Sequence, residues 1–66
     1  MTFADKVKYV REQLDLSQEK LAVLLDVSFA TVNRWEKGRA MPSYATQERF
    51  NLLCKDNGIT FKGENK

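Results

Sequence analysis

Residues 17–42 read SQEKLAVLLDVSFATVNRWEKGRAMP, and the fold turns on how this stretch divides. Ser17 offers a hydroxyl to cap a helix, and Gln18 and Glu19 occupy its first turn, where negative charge suits the helix dipole. Leu21, Ala22, Leu24 and Leu25 give that helix a buried face. Asp26 follows as the turn residue. Ser28 is again a cap, opening a helix from Ser28 to Lys37 in which Val32 and Trp35 lie three apart on one side. Gly38 stops it, and the segment Gly38 to Pro42 has no regular apolar period, so it reads as a short loop. Only a couple of residues join the two helices, which forces a steep crossing. Ala22 supplies the small residue needed where they meet, Val27 and Val32 fill the angle, and the second helix projects its other face outward.

Upstream, Phe3, Val7, Val10 and Leu14 recur at steps of four, three and four, the stripe of a first helix whose Asp5, Lys6, Lys8 and Glu12 face water. Asp15-Leu16 breaks it. Downstream, Ser43 caps a fourth helix that buries Phe50, Leu53 and Cys54, and Asn57-Gly58 ends it. Residues 59–66 are too short and polar for another stable helix. Ile59 and Phe61 fold back on the bundle by default; a dimer seam, or a flexible tail, is the alternative. Trp35 belongs to the core by its register with Val32, and Cys54 by its neighbours Leu52 and Leu53.

With 66 residues the chain has room for one domain, residues 1–66, and none for a separate catalytic or sensor unit. Eleven Lys plus Arg against nine Asp plus Glu leave a net charge of +2, which permits a nucleic-acid partner without demanding one, so the placement of charge must decide. A lone cysteine forms no internal disulfide, and without histidine no conventional zinc site can be assembled; no metal or other cofactor is expected. No apolar run approaches the ~20 residues that span a bilayer, and Met1 to Asp5 lacks the basic-then-apolar order of a signal peptide, so a cytoplasmic protein is expected. The lack of histidine, of a glycine-rich phosphate loop and of a paired acid cluster argues against an enzyme or a small-molecule ligand site.

On the outward face of the helix at Ser28 stand Phe29, Ala30, Asn33 and Arg34, where a bland surface helix carries mostly Glu and Lys. Arg and Asn have planar, two-pronged hydrogen-bonding ends, Arg matching guanine and Asn matching adenine in the major groove, and Phe29 can pack on a thymine methyl or staple onto another helix. Ser17, Gln18, Ser28 and Thr31, with the backbone amides at the helix starts, suit phosphates, and from Arg34 through Lys37 to Arg39 there are three positive charges and one negative.

At these residues the chain resembles the phage repressor and Cro class of helix-turn-helix proteins, the XRE family. The resemblance spans about Val7 to Pro42 and rests on Val10-Arg11-Glu12, Leu16-Ser17-Gln18-Glu19-Lys20-Leu21-Ala22, Val27-Ser28, Thr31-Val32-Asn33-Arg34-Trp35-Glu36, Gly38 and Pro42. It implies an all-α, compact bundle of four or five helices of lambda-repressor-like type, in which the helix from Ser28 reads bases and Gln18 braces on a phosphate. It also implies that Arg11 and Glu36 form a partly buried ion pair tying the first helix to the end of the third. Two departures stand out: many members have glycine where Asp26 stands, and members often carry a fifth helix for which this chain has only Ile59-Thr60-Phe61 and a polar end.

The expected function is that of a sequence-specific double-stranded-DNA-binding transcriptional regulator, a repressor, acting as a two-fold homodimer on a palindromic operator. The competing expectation is a protein-interaction module on the same fold, such as an antitoxin-like partner, with little DNA affinity. DNA contacts are expected from Gln18, Ser28, Phe29, Ala30, Thr31, Asn33, Arg34, Lys37 and Arg39.

Overall fold

In the computed structural model, which describes residues 1–61, every helix begins at a hydroxyl. The helices are α1 (Phe3–Leu14), α2 (Gln18–Leu25), α3 (Phe29–Glu36) and α4 (Tyr44–Asp56), and the described residues contain no strand, so the fold is all-α. Thr2, Ser17, Ser28 and Ser43 stand just outside these helices in extended backbone, and each side-chain oxygen accepts the N–H three residues on, from Asp5, Lys20, Thr31 and Thr46. At Thr2 the Asp5 carboxylate also accepts the Thr2 N–H, closing a capping box. Thr2 and Asp5 stand three apart, the spacing that a capping box requires.

The helix ends are equally uniform. A left-handed residue follows each helix: Asp15 (φ 55°), Asp26 (φ 58°), Gly38 (φ 73°) and Gly58 (φ 68°). The next N–H then reaches back five residues, Leu16 to Arg11 O at 2.8 Å, Val27 to Ala22 O at 3.0 Å, Arg39 to Arg34 O at 2.9 Å and Ile59 to Cys54 O at 2.9 Å. This closure satisfies carbonyls that the helix leaves without partners, and it is usually accompanied by an apolar residue just beyond the turn. Leu16, Val27 and Ile59 fill that role, each packed against the core. The turn between α2 and α3 is therefore closed by backbone hydrogen bonds to the end of α2.

The core comprises Val7, Val10, Leu21, Ala22, Leu25, Val32, Trp35, Phe50 and Cys54, with α3 packed against both α1 and α2, and α2 against α4. Ala22 is buried at the α2–α3 crossing, where a larger side chain would hold the helices apart. Phe3 meets both Trp35 and Phe50 edge-on, with ring centroids 5.4 and 5.1 Å apart.

Four local expectations are revised. Leu24, expected in the buried face of α2, is 54% exposed. At roughly 100° per residue it stands about 110° from the centre of the stripe formed by Gln18, Leu21, Ala22 and Leu25. Leu53 is half-buried, and Thr46 takes a buried place on α4 instead. Ser28 and Lys37, assigned to the third helix, are its caps. Lys6, expected to face water, is half-buried with its Nζ 5.2 Å from the centroid of the Phe61 ring.

That ring belongs to the chain after α4. Ile59 and Phe61 pack on the core, and Phe61 lies edge-on to Tyr9 at 5.9 Å and parallel to Phe50 at 6.5 Å. No fifth helix occurs among the described residues, and the part of the expected tail from 62 to 66 lies outside them. No helix of the described residues is long and apolar enough to cross a membrane.

Candidate nucleic-acid interface

The faces of α3 follow from its period. Val32, Trp35 and Glu36 at steps of three and four share the inner side and are buried, Glu36 to 8% exposure. Ala30 and Arg34 fall on the opposite side and are exposed, while Asn33 lies on the flank facing α2 and is half-buried. Phe29 is turned toward the core side but sits at the helix end, beyond the reach of the core, and remains 49% exposed. Lys37 and Arg39 stand exposed just past the helix. The outer surface thus brings Ala30, Arg34, Lys37 and Arg39 onto one strip, with Phe29 exposed at the start of the helix and off that strip.

At the start of α3 the hydroxyls are engaged with one another. Ser28 Oγ accepts the Thr31 N–H at 3.1 Å and lies 2.9 Å from Thr31 Oγ1, which also receives Arg34 Nη2 at 3.5 Å. The Arg34 guanidinium therefore leans toward the N-terminal turn of α3, the end of a helix-turn-helix that approaches base edges.

Under this strip runs a polar chain linking three helices. Arg11 of α1 donates to Glu36 of α3 through Nε at 2.6 Å and Nη2 at 2.9 Å, and its Nη1 donates to the Leu16 carbonyl at 3.2 Å. Gln18 of α2 donates from Nε2 to Glu36 Oε1 at 3.0 Å, and Asn33 donates from Nδ2 to Gln18 Oε1 at 3.3 Å. Burial pushes the Glu36 carboxyl up, but the hydrogen bonds from Arg11 and Gln18 and the positive charge of Arg11 outweigh it and hold the group below its ordinary range. The Glu36 hydrogen bond in turn raises Arg11, against a smaller opposing effect of burial. The forked contact is the geometry in which a guanidinium and a carboxylate bind best.

Of the residues expected to meet DNA, the outer strip collects Ala30, Arg34, Lys37 and Arg39, while Phe29 is exposed at the helix end on the side turned toward the core and Ser28 and Thr31 stand at the start of α3. Gln18 and Asn33 stand apart, bonded to each other at the seam between α2 and α3. That contact was not foreseen. Gln18 falls in register with Leu21, Ala22 and Leu25, which marks it as facing inward, but its pairing with a residue 15 positions away has no sequence signal.

The helix-turn-helix family model matches residues 7–49, from within α1 to the middle of α4, the segment that holds the crossed pair, its turn and the Arg11–Glu36 pair. The chain belongs to the XRE-type helix-turn-helix family. Among relatives of this helix-turn-helix chain is the HTH-type transcriptional regulator DicA of Escherichia coli (strain K12), 29% identical over 68 residues that take in 100% of this chain and 50% of DicA. The chain thus spans about half the length of that relative. No solved structure matches it significantly.

Proposed function

We propose that this chain is a sequence-specific, double-stranded-DNA-binding transcriptional regulator, a repressor, that works in the cytoplasm and reads the major groove with α3. The observation that carries this reading is the division of α3: Val32, Trp35 and Glu36 lock one side while Ala30 and Arg34 stand exposed on the other, flanked by Lys37 and Arg39. An anchored helix with an Arg-bearing outer face and cationic residues at its end is what groove docking requires. In this reading Arg34 and Asn33 read bases, Phe29 and Ala30 meet thymine methyls, and Gln18, Ser28, Thr31, Lys37 and Arg39 hold phosphates. The described residues measure 31 × 21 × 21 Å, enough for one half-site; half-sites ~34 Å apart then call for two copies on a palindromic operator.

Selection of bound sequences from random duplexes, followed by titration of the best sequence at several salt concentrations, tests this. A preferred sequence should emerge, with log affinity falling against log salt by about 0.9 for each phosphate neutralised. Arg34→Ala should lose about 1–3 kcal/mol at one base position, while Lys37→Ala and Arg39→Ala weaken all sequences alike. Failure to bind any duplex at low salt would overturn the proposal and leave the protein-interaction module.

A further inference from the structure

We infer that Gln18 fixes which way the Asn33 amide faces, and so favours adenine opposite Asn33, the one base whose major-groove edge pairs with both the acceptor and the donor that the amide leaves open. This rests on the reading that α3 enters that groove.

The direction of the polar chain is forced by chemistry. A guanidinium only donates and an ionised carboxylate only accepts, so the Arg11–Glu36 pair leaves Glu36 Oε1 able to receive another donor but not to provide one. Glu36 stays ionised near neutral pH because its partners hold its carboxyl low. Gln18 must therefore turn its Nε2 toward Glu36, which leaves its Oε1 toward Asn33. Asn33 must answer with Nδ2. Turning Asn33 over would set oxygen against oxygen at the 3.3 Å contact, and turning Gln18 over as well would move the clash to the 3.0 Å contact with Glu36. A glutamine and an asparagine that are each free to flip in isolation are thus held in one orientation by the ion pair that joins α1 to the end of α3.

The outward end of Asn33 follows. Its Oδ1 has no hydrogen-bond partner among the described residues, and no side-chain nitrogen or oxygen in their buried or half-buried positions is both shut from solvent and unpaired. Asn33 Oδ1 is therefore open to solvent as an acceptor, beside the one N–H of Nδ2 that Gln18 does not use. Adenine matches both, giving a proton from N6 and receiving one at N7; cytosine matches the acceptor through N4. Guanine, through N7 and O6, and thymine, through O4, offer acceptors only, so each can take the free Nδ2 N–H but leaves Oδ1 without a donor, as cytosine leaves that N–H without an acceptor. The seam acts on specificity without Gln18 touching a base, which makes Gln18 a positioning residue.

The test pairs wild type with Gln18→Met, which keeps the length of the side chain and leaves Glu36 its two bonds from Arg11. Without DNA, nitrogen relaxation of the Asn33 side-chain amide should show a rigid group in wild type and a mobile one in Gln18→Met, and the backbone spectrum reports that the variant is folded. An Asn33 amide equally rigid, or equally mobile, in both proteins overturns the inference by itself. With random duplexes, Asn33→Ala marks the base position concerned; there wild type should prefer adenine by about tenfold, and Gln18→Met by less than about threefold, with the Arg34 position unchanged. A uniform loss of affinity with that preference intact would make Gln18 a phosphate contact only and overturn the inference. A wild-type chain that enriches no sequence overturns the proposed function instead, and the base preference with it, whatever the amide shows.

Discussion

Glu36 stands at the point where the stability and the surface chemistry of this protein meet. Its carboxylate takes hydrogen bonds from Arg11 and Gln18 and is held below its ordinary range, so the folded state binds its proton less readily than the unfolded chain does. The resulting stabilisation is complete above the unfolded carboxylate range, near pH ~4.3, and is lost as pH falls from there through the lower folded value. Urea unfolding between pH 7 and pH 3 should show that decline, and in Glu36→Gln the decline should be shallower. Arg11→Met leaves the carboxylate buried without its cation and should cost about 3 kcal/mol, the lower end for a broken buried pair, because the Arg11 side chain keeps 25% of its exposure. A loss below about 1 kcal/mol in the same urea titration would place this pair with ordinary surface ion pairs.

At the scale of helices and turns, the left-handed closures are where stability was left unclaimed. Asp15 and Asp26 occupy φ values of 55° and 58° that an L-residue adopts at a cost of roughly 1 kcal/mol and glycine adopts freely. Asp26→Gly should therefore raise the urea midpoint by an amount equivalent to about 0.5–1 kcal/mol with the slope unchanged. Gly38→Ala should do the reverse. A Cβ there meets nothing within 4 Å, so its cost of about 1 kcal/mol is conformational alone. Neither change touches the outer face of α3, so duplex preference measured beside stability should stay as in wild type. A shifted preference would mean that the closure also sets the pitch of α3.

For the molecule as a whole, the ring cluster joins the first helix to the end of the described chain. Phe3 touches Trp35 and Phe50, and Phe61 then spans Phe50 and Tyr9 with Lys6 over its face. So short a chain has a small core, so one half-buried ring counts. Phe61→Ala should cost about 2 kcal/mol, less than a fully buried phenylalanine. Cys54 gives a direct readout: its thiol is buried, burial raises its pKa, and it lies in the hollow that Ile59 and Phe61 help to line. Its alkylation under native conditions should be slow in wild type and clearly faster in Phe61→Ala; equal rates would show that the ring is not what closes that hollow.

Sequence alone carried the local decisions. The serines at 17, 28 and 43, the aspartates and glycines after the helices, and the apolar period of α1, α3 and α4 are governed by neighbours within a turn, and the helices lie where those signals put them, to within their caps. The inner side of α3 was legible for the same reason, as Val32, Trp35 and Glu36 are one helical face. Leu24 misled because hydrophobicity says that a residue prefers burial without saying which sector of the helix is covered, and the partners of α2 settle that. The docking of Phe61 on Tyr9 and Phe50, and the line of donors from Arg11 through Glu36 and Gln18 to Asn33, required the tertiary structure. Hydrogen bonds between side chains 15 and 25 residues apart depend on where whole helices come to rest, and no local pattern encodes that distance.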